Sequence, residues 1–359
     1  KSEWIPNTTY DNEKIYNTFT GFKLYEEPKV FKQDAVNSFL EHIKLLVNYD
    51  ENSFRYVLNY NAHMIQYPDE LPGVALLFKS QQGIGKDLML DIIERIIGNE
   101  LMYRTSKLEE IFGNFNGALK NNLIVQLNEV QGCDGFENKE KLKDLITSKT
   151  HNINEKNMKP YKQNNYSRVF IFSNNLNPIE IPYDDRRFCV FKGGKNKPAS
   201  YYKNLVNILD DEEALKSILN YLRNVDLSNF HIREDRPKTS AYEDMKQNAI
   251  NPIYTFLSLN FMDEGFTETF QDKYKLHKGN LLIKAKHFYH TYKDYLDYEG
   301  LEYVKVDYKK LKNLLNDIGI IKKQFKIKNM VTDYYVINQS NLINELESRN
   351  LIEEIETIE

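Results

Sequence analysis

Long apolar runs are missing. No stretch of about 18 apolar residues occurs in the 359-residue chain, which argues against a membrane-spanning helix. The opening residues, KSEWIPNTTYDNEK, lack the apolar centre of a secretory signal. They also begin without Met, so the expectation is a fragment or a processed form. Cysteine is scarce, with Cys133 and Cys189 far apart. That argues against a disulfide framework or a cysteine-rich zinc site and fits a reducing cytoplasm. The histidines form no ligand-like pairing. His287 and His290 stand at i, i+3 and read as ordinary helix residues. An overall basic excess is absent as well, since the net charge is −4. That average conceals a segregation. Residues 273–328 hold fourteen Lys against six acids, roughly +8, enough for a local phosphate-binding surface.

What is present is an alternation of helical and strand patterns in a chain that is 41% hydrophobic and 28% charged. Helical spacing of apolar residues occurs at 33–49, 53–66, 139–146 and 202–224. Short apolar runs at 73–80, 123–128 and 168–173, and FCVF after Arg187, read as buried strands. Strands separated by helices indicate an α/β sheet. The polar run HNINEKNMKPYKQNN suits an exposed hairpin. Further on, helices are expected at 252–262, 284–298 and 308–318, then a hairpin about Asn329 and a last helix at 342–349. The expected organisation is an N-terminal helical segment (1–70), an α/β core (71–235), a polar linker (236–250) and a winged-helix-like DNA-binding domain (251–359).

Candidate chemistry begins at Ser80, Gln81, Gln82, Gly83, Ile84, Gly85, Lys86 and Asp87. This glycine turn lies between an apolar strand and the helical pattern DLMLDIIERII, which ends at Gly98. Backbone N–H groups, a lysine and a helix N-terminus together bind phosphate. Two positions depart from the usual phosphate loop: Ser80 replaces its first Gly, and Asp87 replaces the Ser or Thr that holds Mg²⁺. A second strand ends LIVQLNE, with Asn128 where a metal-binding Asp is expected and Glu129 where a carboxylate polarises water. The loop has gained a carboxylate and the strand end has lost one. Asp87 and Asn128 are therefore expected to share Mg²⁺, which prefers hard oxygen ligands. The bland alternative is that Asp87 only caps its helix. Third comes FSNN, with Asn174 and Asn175 at a strand end. Fourth is DDRRF, with Arg186 and Arg187.

In this order the motifs resemble superfamily 3 helicases of the AAA+ class, in the phage and mobile-element branch related to poxvirus primase-helicases. SQQGIGKD stands for Walker A, LIVQLNE for Walker B, the hairpin after LKDLIT for motif B′ and FSNN for motif C. NTFTGF (17–22), HMIQYP (63–68) and IFGNFNGAL (111–119) fit too, and the likeness covers roughly 15–195. The resemblance implies an ATP- and Mg²⁺-dependent homo-hexameric ring on single-stranded DNA, working at replication forks or origins beside a primase. It implies that Lys86 contacts the β- and γ-phosphates and that Glu129 is catalytic. Asn174 becomes the sensor, with Asn175 as rival, and Arg186, then Arg187, the finger reaching a neighbouring subunit. Lys156, Lys159 and Lys162 would grip DNA from the hairpin, and Lys326 and Lys328 from the C-terminal domain. The rival class is a non-hydrolysing DNA-binding initiator or scaffold. Tyr289, Tyr292 and Tyr295 read as core packing before base stacking.

Overall fold

The computed structural model describes residues 1–128, 136–174, 179, 185–248, 252–261, 270, 274–299, 301, 306–327 and 330–348. Its contacts divide the chain into two units, Lys1–Ala249 and Ile250–Glu359.

In the first unit two short strands, β1 (Ser2–Glu3) and β2 (Tyr16–Asn17), pair in parallel. Helices α1 (Gln33–Leu46) and α2 (Glu51–Gln66) follow, and Asp50 caps α2 by accepting from Ser53 N at 2.8 Å. The chain then builds β3 (Ala75–Lys79), α3 (Lys86–Ile97), β4 (Met102–Thr105), a short α4 (Glu109–Phe112) and β5 (Ile124–Asn128). Helix α5 (Phe136–Thr147) leads into the antiparallel hairpin β6 (Thr150–Ile153) and β7 (Tyr161–Asn164). Strands β8 (Arg168–Ser173) and β9 (Phe188–Lys192) and helices α6 (Ala199–Leu209), α7 (Glu212–Arg223) and α8 (Ser240–Asn248) complete it.

Five strands form one parallel sheet in the order β4-β5-β8-β3-β9. A parallel sheet is covered on both faces, which is why its inner strands read as unbroken apolar runs. All five residues of β3 and all six of β8 are buried. Alternation divides them between two cores. Leu76 and Phe78 pack with Val36, Phe39, Ile93 and Ile218 of the α1, α3 and α7 side. Ala75 and Leu77 pack with Leu142 and Leu145 of α5 and with Ala241, Tyr242 and Met245 of α8.

Two expectations change. The helix expected over 202–224 is two helices, because the Asp211 side chain accepts from Ala214 N at 3.1 Å and starts a new one. The stretch expected as a linker contains α8, whose three apolar residues close one face of the sheet.

The second unit holds α9 (Pro252–Phe261), β10 (Tyr274–His277), β11 (Asn280–Lys284), α10 (Ala285–Tyr298), α11 (Tyr308–Asn316), β12 (Ile321–Ile327), β13 (Met330–Ile337) and α12 (Gln339–Ser348). Its antiparallel sheet runs β10-β11-β13-β12. Phe256, Phe288, Tyr292, Leu311 and Tyr335 lie in its core, with Tyr289 and Tyr295 packed against them. Tyr289 stacks on Tyr308 at 4.1 Å. These tyrosines are packing residues. No helix among the described residues is long and apolar enough to cross a membrane.

Candidate functional site

The carboxyl ends of β3, β5 and β8 bring the candidate residues together. Between β3 and α3 the chain turns through Gly83 (φ +90°) and Gly85 (φ +82°), left-handed conformations that favour glycine. A Cβ at Gly85 would also meet His42, Leu88 and Tyr202, each at 3.2 Å. Ile84 is buried and pins the middle of the turn. Gly193, just past β9, packs so closely that a Cβ there would lie 2.7 Å from both Ile84 and Ser80. Two carbonyls of the turn are tied to side chains that sequence reasoning passed over. Asn196 Nδ2 donates to Gln82 O at 3.0 Å, and His42 Nε2 lies 2.8 Å from Gly85 O. Because a carbonyl only accepts, His42 carries its proton on Nε2, and Nδ1 accepts from the Tyr201 hydroxyl at 3.3 Å. Burial lowers the His42 pKa to about 4, so the ring stays neutral and the turn is held by a neutral donor.

Lys86 opens α3 and reaches toward β8. Its Nζ donates to Asn174 Oδ1 at 2.5 Å and to Ser173 O at 3.2 Å. The loop lysine and the strand-end asparagine, singled out separately in the sequence, are thus in direct contact. Asp87 and Asn128 are brought together as well, through a residue not anticipated. Gln126 Nε2 donates to Asp87 Oδ1 at 2.6 Å and to Asn128 Oδ1 at 2.8 Å. Gln126 and Asn128 are two apart on β5 and so share a face. A polar residue inside LIVQLN was the available signal. The N-cap of α3 is Gly85, while the Asp87 carboxylate is engaged by Gln126. The oxygens of Asp87 and Asn128 are hard donors of the kind that Mg²⁺ takes. Among the described residues no three His, Cys, Asp or Glu side chains converge as a metal site. Glu129, Asn175 and Cys133 lie outside the described residues.

The segment before β9 is organised by Asp185. Its carboxylate is buried, which pushes its pKa up, and it accepts from Arg187 N at 3.1 Å and Phe188 N at 3.0 Å. Tyr242 of α8 donates to Asp185 O at 2.9 Å. The result leaves Arg186 exposed and Arg187 half-buried. The β6–β7 hairpin carries Lys156, Lys159 and Lys162 exposed. The start of its connecting loop is braced by the IFGNFNGAL segment and the adjoining Lys120. Asn116 N donates to Asn154 O at 3.2 Å, and Asn154 N donates to Asn116 Oδ1 at 2.8 Å. Glu155 accepts from Lys120 at 3.1 Å and from the Tyr161 hydroxyl at 2.8 Å. In the second unit Lys326 is exposed on β12, and Lys328 lies outside the described residues.

Comparison with known proteins adds three findings. A family model described as a family of unknown function (DUF5906) matches residues 78–187, the span from the end of β3 to Arg187. A DNA primase-polymerase of Nitratiruptor phage NrS-1 is 36% identical over 176 residues, which is 47% of this chain and 24% of that protein's length. Solved apo structures of the NrS-1 C-terminal region share the fold. One has a TM-score of 0.64 at 22% identity and another 0.63 at 24%, each covering 94% of this chain and 84% of the other. The chain is therefore similar to part of a phage primase-polymerase and has the fold of the NrS-1 C-terminal region.

Proposed function

We propose that the chain is the ATP-driven helicase part of a phage or mobile-element replication protein, an AAA+ motor of superfamily 3 working as a hexameric ring on single-stranded DNA. The observation that carries this reading is the contact of Lys86 with Asn174 at the carboxyl ends of adjacent parallel strands, where open α/β sheets bind ligands. The glycine turn beside it supplies a helix N-terminus for phosphate. The similarity to part of a DNA primase-polymerase supports a place in DNA replication, beside a primase.

On this reading Lys86 binds the β- and γ-phosphates of ATP, and Asn174 orients the γ-phosphate or the attacking water. Glu129, next in the chain after Asn128, takes up the proton of that water. Asp87 and Asn128 would hold Mg²⁺ with the nucleotide, and the ion would supply charge neutralisation on the phosphates. Arg186 reaches the nucleotide of a neighbouring subunit. The hairpin lysines hold the strand, and the second unit, a winged-helix-like module, binds fork or origin DNA through Lys326 and Lys328. Asn128 in the place of an aspartate is the feature that favours the rival, a DNA-binding initiator that does not hydrolyse ATP. Strand displacement from a forked duplex tests the proposal. The wild type is expected to release the displaced strand only with ATP and Mg²⁺, and Lys86→Ala to release none. ATP-independent binding without displacement would favour the initiator.

A further inference from the structure

We infer that Gln126 is a positioning residue for the cation site, setting the Asp87 carboxylate and the Asn128 carbonyl against each other from within the sheet. The inference rests on the proposed nucleotide site and names a part of it that the motifs do not contain. Gln126 is fully buried in β5, where it pairs in register with Phe170 of β8. A buried amide is costly unless its donors and acceptor are matched. One side is matched, since Nε2 donates at 2.6 Å to Asp87 and at 2.8 Å to Asn128. A carboxylate only accepts, so the nitrogen, not the oxygen, faces Asp87. The two ligand oxygens therefore lie within two hydrogen-bond lengths of one another, spanned by a single nitrogen. The other side is unmatched, because Gln126 Oε1 is buried with no partner. An apolar side chain would fill this strand position without stranding an acceptor. The amide therefore costs stability and gives in return a fixed spacing between an anionic and a neutral oxygen.

The consequence is measurable apart from turnover. Outer partners of metal ligands typically contribute about 10–100-fold to metal affinity. Gln126→Met keeps the length of the side chain and removes the donor. Binding of Mn²⁺ in the presence of ADP, followed by electron paramagnetic resonance on the full chain, is expected to weaken at least about tenfold in this variant. ADP affinity in EDTA and the circular dichroism spectrum are expected to match the wild type. In an Asp87→Ala background the same substitution is expected to cost clearly less Mn²⁺ affinity than in the wild type, because only the contact with Asn128 is left to lose. Gln126→Leu provides the same comparison if the Met variant does not fold. Unchanged Mn²⁺ affinity, or an equal loss in both backgrounds, overturns the positioning role while leaving the nucleotide site standing. Wild-type protein that binds ADP neither with Mn²⁺ nor in EDTA overturns the site itself, and this inference with it.

Discussion

His42 shows how much of the glycine turn is held from outside it. The ring donates to Gly85 O from a buried position on α1. His42→Leu is expected to leave that carbonyl unpaired and to cost about 1–3 kcal/mol in urea unfolding at pH 7.5. The pH dependence has a definite sign. The folded ring titrates near 4 and a free histidine near 6.5, so the unfolded chain binds the extra proton between these values. The stability that His42 contributes is complete above pH 6.5 and is lost as pH falls toward about 4. The gap between wild type and His42→Leu is expected to be about 2 kcal/mol smaller at pH 5 than at pH 7.5. A gap that does not change with pH would show that His42 is not the neutral anchor. At this scale Gly83, Gly85 and Lys86 were legible, because a turn needing positive φ followed by a helix start leaves its mark on residue types. Asp87 and Asn128 were legible as a pair of departures from the usual pattern. His42, Asn196 and Gln126 were not, because each acquires its role from a partner far along the chain.

Among the elements, apolar runs buried on both faces were the readable ones, and β3, β5, β8 and β9 lie where their Val, Ile, Leu and Phe residues indicate. Strand β4 was missed, since only its end residues are buried. Helix α8 was missed because a polar surface outweighs its apolar residues at 241, 242 and 245. The hairpin β10–β11 escaped as well: three of the four β10 residues are exposed, so burial left no alternation to read. Met245 is 2% exposed and Met245→Ala is expected to cost about 2–5 kcal/mol, lowering the unfolding transition of the first unit in calorimetry. No change would mean that α8 does not close the sheet. The β6–β7 hairpin was legible as a polar stretch between apolar ones, and its charge leads to a binding prediction. Replacing Lys156, Lys159 and Lys162 together by Ala is expected to flatten the dependence of log affinity for single-stranded DNA on log salt by about 2, at roughly 0.7 per phosphate contact. An unchanged slope would remove the hairpin from the DNA path.

Across the whole molecule, charge and chemistry are divided. The carboxyl ends of the first unit's sheet carry the glycine turn, Lys86, Asn174 and the Asp87–Gln126–Asn128 group. Most of the lysine-rich stretch at 273–328 lies in the described part of the second unit, while the whole chain carries −4. The proposed motor, which couples nucleotide hydrolysis to movement along DNA, needs both functions. The most direct measurement is steady-state ATP hydrolysis with Mg²⁺, with and without single-stranded DNA, in wild type and Lys86→Ala. Hydrolysis that DNA stimulates and that Lys86→Ala abolishes is the expected result. Wild-type protein, folded and assembled, that hydrolyses ATP no faster than Lys86→Ala with DNA present would contradict it.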